Sequence, residues 1–121
     1  MGYYERFRWA QSLFEHRDYL TAARVLEELL ADAADGSAGH GLASARELLA
    51  RAYFHSGQLG RAEATARALL AEDACAAYAA LLLARTLQRG SRHEEADRAL
   101  AWAAALGAPG TTFEPDEDPA A

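Results

Sequence analysis

The chain repeats itself. Ala62 and Ala96 each stand near the start of the second of two short amphipathic helices, 34 residues apart. Self-similarity at such a period means units that cannot enclose a core alone and must stack on their neighbours. The unit is clearest at 49–74. In its first helix Leu49, Ala52 and Tyr53 share one face. In its second, Leu59, Ala62, Ala66, Leu69 and Leu70 recur at three- and four-residue steps, and His55-Ser56-Gly57-Gln58 forms a tight turn between the two.

Aligned by this period, the central copy reads Leu49, Ala50, Tyr53, Ala62, Ala66. The third copy reads Leu83, Ala84, Leu87, Ala96, Leu100, and the first Trp9, Ala10, Leu13, Ala22, Leu26. Ala22 precedes Ala62 by 40 residues, so six extra residues fall in a Gly-rich loop at 35–41. Small residues at these columns let paired helices approach closely, and the larger ones fill between layers. This pattern resembles the tetratricopeptide repeat (TPR) family. The resemblance implies an all-α fold: three helix-turn-helix pairs, about 4–34, 43–74 and 77–108, in a short right-handed solenoid with a concave groove. Its domain is 1–108. The chain departs from the signature at the first large position, which holds Arg6, Arg46 and Ala80. The family's terminal proline is missing after the first two copies and comes one residue late, as Pro109, after the third.

Composition supports helices throughout. Ala, Leu, Glu and Arg dominate, and Lys, Ile and Asn do not occur. The pattern predicts helices over 3–16, 19–33, 42–56, 59–72, 74–89 and 92–105. Asp18 and Asp73 are expected N-caps, Ser91 with Glu94 has the spacing of a capping box, and Gly90 is expected to end the fifth helix. Phe7, Trp9, Ala10, Leu13 and Phe14 are the expected core of the first helix. The stretch 109–121 is acidic, contains proline and reads as a disordered tail.

The resemblance also places a partner. In this family the first helix of each pair lines the groove, which takes extended or helical peptides. The corresponding positions are Phe7, Gln11 and Phe14 in the first copy, with Tyr4 beside them. The second copy supplies Glu47, Leu48, Arg51, Phe54 and His55. The third supplies Tyr78, Leu81, Leu82, Arg85, Gln88 and Arg89. The basic clamp used by relatives that hold a C-terminal carboxylate is replaced here by Phe7, Gln11, Leu48, Tyr78 and Leu82. An aromatic and apolar wall with Arg heads implies a protein or peptide partner with apolar anchors and acidic residues. Phe113, followed by Glu114, Asp116, Glu117 and Asp118, is complementary in type to that wall. Leu100, Trp102 and Leu106 on an Ala-rich last helix, with Phe113, form a candidate face for a second copy of the chain. Two other readings fit the same residues: a self-assembling structural protein, and a chaperone-like holdase for a client.

Other chemistry finds little support. The net charge is −6, and without the four acids of the tail the chain still carries 14 acids against 12 arginines, which argues against nucleic acid. His16, His40, His55 and His93 lack the i, i+4 partner of a helical zinc site, so no metal or other cofactor is expected. Ser37 with His40 is a loop pair and not a nucleophile arrangement. Cys75 is the only cysteine, which excludes an intrachain disulfide. No apolar run reaches the ~18–20 residues of a membrane span, and no secretory leader is read at the start. A non-enzymatic cytoplasmic adaptor is the expectation.

Overall fold

A computed structural model of the chain describes residues 2–33 and 42–108. Six α-helices occur among them: α1 (Tyr3–Glu15), α2 (Tyr19–Asp32), α3 (Leu42–His55), α4 (Leu59–Glu72), α5 (Ala77–Arg89) and α6 (His93–Ala105). Each helix packs on its chain neighbours, and α3 also touches α1 and α5. The result is three stacked hairpins, α1–α2, α3–α4 and α5–α6, with the leading helices side by side. The Gly-rich loop and the acidic tail lie outside the described residues.

Six alanines hold the hairpins shut. Ala10 and Ala22, Ala50 and Ala62, and Ala84 and Ala96 are all fully buried. Only a methyl group separates the paired helices at these points, so larger side chains are left to fill the gaps between hairpins. Tyr53 is one such filler. Burial and a hydrogen bond to Glu27 of α2 both raise its phenol above the ordinary value, so it stays neutral across the physiological range.

The three hairpin turns are built alike. The Arg17, Gly57 and Ser91 amides donate to Phe14, Phe54 and Gln88, and the following amides to Leu13, Tyr53 and Leu87. This double closure requires a left-handed residue, and φ is 63° at Arg17, 80° at Gly57 and 61° at Ser91. Asp18 caps α2 as expected, accepting from the Thr21 amide at 3.4 Å. The other expected helix starts need correction. Ser91 is the left-handed residue and not a cap, so α6 begins one residue late behind Arg92, which makes no side-chain cap. Gly90 ends α5 with φ −83°, leaving the position that favours glycine to the serine beside it. Asp73 is extended, ends α4 and accepts from the Cys75 amide at 3.0 Å, so α5 starts at Ala77 and not at 74.

Trp9 is not core. It is 47% exposed, whereas its repeat equivalents Leu49 and Leu83 are buried. The same holds for the whole face. Ala45, Leu48 and Ala52 of α3, and Ala79, Leu82 and Thr86 of α5, are buried, while Glu5, Arg8 and Ser12 of α1 are exposed. In α3 and α5 this face packs on the preceding hairpin; α1 has none within these residues.

The departures from the family signature have a partner each. Arg6 pairs with Asp32, and Arg46 with Glu72, each 26 residues on, linking the start of the leading helix to the end of the trailing one. In the third hairpin both members change together: Ala80 is buried and Leu106 packs on the same apolar cluster. A second network joins α4 to α6. Arg92 reaches Glu63 at 2.5 Å and Glu95 at 2.7 Å, and Arg67 reaches Glu63 at 2.9 Å.

Two predictions follow from the turns and this network. Replacing Ser91 by Gly removes the left-handed penalty and is expected to raise unfolding stability by ~0.5–1 kcal/mol, whereas Gly57→Ala lowers it by about 1 kcal/mol; urea titration reads both. For the network, partial burial pushes the Glu63 carboxyl up, but hydrogen bonds from Arg67 and Arg92 outweigh it and hold the group below its usual range. The Arg92 hydrogen bond holds Glu95 low as well. Folded values below unfolded ones mean stabilisation that is complete above about pH 5 and lost as pH falls through the folded values. Arg92→Gln is therefore expected to lower the melting temperature at pH 7 and to lower it less as pH falls below the usual carboxylate range; an equal deficit at neutral and acid pH contradicts the assignment.

Candidate functional site

The leading helices turn their inner faces to one side, and the central residue of that surface is Arg51. Its guanidinium lies over the Phe14 ring at 4.7 Å and the Tyr78 ring at 5.6 Å, so one cation from α3 touches aromatics of α1 and α5. The Arg51 Nε is buried and makes no hydrogen bond among the described residues. Burial pushes the Tyr78 phenol above its ordinary value; the nearby Arg51 pulls the other way without reversing it, so the hydroxyl stays protonated.

The arrangement recurs one hairpin on. Phe54 is the repeat equivalent of Phe14, and Arg89 lies over its ring at the same 4.7 Å. Arg89 also donates to the Phe54 carbonyl at 2.8 Å, the carbonyl that accepts the Gly57 amide. A cation at a helix C-terminus is favoured by the exposed carbonyls there. The third copy has Gln88 at this column, where no following Arg is present among the described residues; Gln88 accepts from Arg85 at 3.0 Å.

Between these arginines sits an aromatic cluster. His55 stacks on Tyr19 at 4.7 Å and meets Phe14 and Phe54 edge-on at 5.4 and 5.5 Å. Beside it opens a recess of about 580 Å³ lined by Gln11, Phe14, Glu15, Arg17, Tyr19, Leu48 and Arg51. A narrower slot continues along Arg51, Phe54, His55, Tyr78, Leu81, Leu82 and Arg85.

The expected groove residues thus fall into three groups. Gln11, Phe14, Arg51, His55, Tyr78 and Arg85 line the recess or the slot and are partly or fully accessible. Phe54 and Leu81 touch the slot but are buried, Arg89 is committed to the end of α3, and Gln88 is half-buried and accepts from Arg85. Phe7 packs against the core with Tyr3, and Glu47 stands near Tyr78; neither lines the openings. Tyr19, Glu15 and Arg17 complete the recess although nothing in the repeat signature marks them. Glu15 ends α1, Arg17 stands in the hairpin turn and Tyr19 begins α2, and the unbroken run of bulky or charged residues from Glu15 to Tyr19 is the signal that was there to find. Of the second candidate surface, Trp102 is 40% exposed, Leu100 and Leu106 are half-buried, and Phe113 lies outside the described residues.

No group of three or more His, Cys, Asp or Glu side chains suited to a metal ion occurs among the described residues, and no helix there is long and apolar enough to cross a membrane.

No family model matches the chain, and no curated protein matches it. Among solved structures it is similar to the one described as "MamA RS-1 ArsTM double mutant", with a TM-score of 0.74 at 22% identity. The likeness covers 87% of this chain and 56% of that one, so the chain spans little more than half of that protein's length. The fold is a TPR-like helical repeat.

Proposed function

We propose that the chain is a non-catalytic adaptor that binds a peptide or subunit surface across its leading helices, taking apolar anchors and at least one acidic residue. The observation that supports this reading is Arg51. A guanidinium held between Phe14 and Tyr78 is pre-positioned, so little side-chain freedom is lost when a carboxylate arrives, and the adjoining recess offers aromatic walls to an apolar neighbour. Arg85 extends the positive part of the surface, while Glu15 and Glu47 disfavour acidic residues beside them, so the acidic residue of the partner belongs with Arg51 and Arg85. Aromatic and Arg side chains around a cavity are the residue types that dominate binding energy at protein interfaces.

A second reading, self-assembly through α6, is favoured by the exposure of Trp102. One protein separates the two. The double variant Arg51→Glu, Arg85→Glu is expected to lose at least about tenfold in affinity for acidic-aromatic peptides selected on the wild type. Its helix content and sedimentation behaviour are expected to stay close to wild type, with the melting temperature lowered by the lost Arg51–ring contacts. Unchanged peptide affinity contradicts the groove reading, and unchanged affinity with self-association intact favours the second.

A further inference from the structure

We propose that the chain's own acidic tail, 109–121, occupies this groove as a placeholder that a partner displaces, a reading that rests on the groove being the binding surface. Charge and shape both point to it. The tail carries Phe113 followed by Glu114, Asp116, Glu117 and Asp118, an apolar anchor ahead of four acids. The groove presents aromatic rings at Phe14 and Tyr78 with the Arg51 and Arg85 heads beside them. The acids that share this surface are Glu15, within the recess, and Glu47, near Tyr78. An acidic strand therefore finds its opposite charge at Arg51 and Arg85 and is disfavoured beside Glu15 and Glu47.

The starting point of the tail is favourable. Ala108 is buried in the same apolar cluster as Ala79, Ala80 and Leu81, at the beginning of α5. Its amide donates to Ala103, which fixes where the chain leaves α6. Along α5, Arg85 lies seven residues beyond Tyr78, roughly 10 Å at helical rise. The five residues from Ala108 to Phe113 span up to ~17 Å extended, and eight reach Asp116 at up to ~27 Å, enough to lay the acids along α5 and onto Arg51. Tethering sets an effective concentration in the millimolar range, so even a weak contact keeps the groove substantially filled. A partner then competes with the tail, and its apparent affinity falls by the fraction of chains left open.

The test uses the full chain. A nitroxide is placed at Ala120→Cys, with exposed Cys75 changed to Ser so that a single thiol remains, and backbone amide signals are recorded with the label active and reduced. The tail in the groove is expected to weaken the Gln11, Arg51 and Arg85 amides several-fold while leaving Ala64 and Ala68 of α4 untouched. Neutralising Glu114, Asp116, Glu117 and Asp118 to their amides, or adding salt, is expected to restore the signals. Equal effects on groove and α4 amides overturn the proposal. So does weakening seen only when a spin-labelled chain is mixed with an isotope-labelled one, because the tail then enters a second copy. If the tail stays out while the Arg51/Arg85 variant still loses peptide, only this inference fails. If the tail enters but that variant binds peptide normally, the groove reading itself fails.

Discussion

Everything on the surface of this protein depends on how closely its paired helices approach. Three Ala–Ala pairs, all fully buried, bring leading and trailing helices together with one methyl group from each side. That spacing is short enough for the double hydrogen-bond closure at each turn, and it makes every hairpin nearly the same shape. Hairpins of one shape stack in one way. Their leading helices then lie side by side, which is what allows an arginine on α3 to touch rings on both α1 and α5.

The same geometry explains why pairs of residues change together along the chain. Where a leading helix starts with Arg, the trailing helix ends with an acid; where it starts with Ala80, the end is Leu106. Where a following leading helix supplies an Arg, the preceding one offers Phe14 or Phe54; the third copy has Gln88 instead. The first helix shows the converse, with Glu5, Arg8 and Ser12 where later copies bury apolar or small side chains. The repeat is therefore edited from copy to copy, and the edits follow which neighbours each hairpin has among the described residues.

What could be read from the sequence was what depends on a helix and its nearest partner. The alanine columns, the six helices and the cap at Asp18 follow from spacing, and most of the residues around Arg51 from the family resemblance. What could not be read depends on the third dimension of the stack. Trp9 matches a core column, yet the column is core only when another hairpin precedes it. Ser91 looks like a cap because Glu94 follows at the right distance, but the turn closure claims Ser91 one residue earlier. Tyr19 and Arg17 reach the recess because the turn folds back beside Phe14, and no periodicity marks a turn. Arg6 and Arg46 stand out as breaks in the signature until their partners 26 residues away are seen.

The claim on which the account turns is that Arg51 couples the hairpins into one recognition surface. A double-mutant cycle on unfolding stability tests it, with Phe14→Leu and Arg51→Met made singly and together. Both changes keep apolar bulk, so the cycle isolates the ring–guanidinium term. The account predicts a coupling of ~0.5–1 kcal/mol or more, as for a partly desolvated cation over an aromatic face. Strictly additive effects of the two substitutions would contradict it.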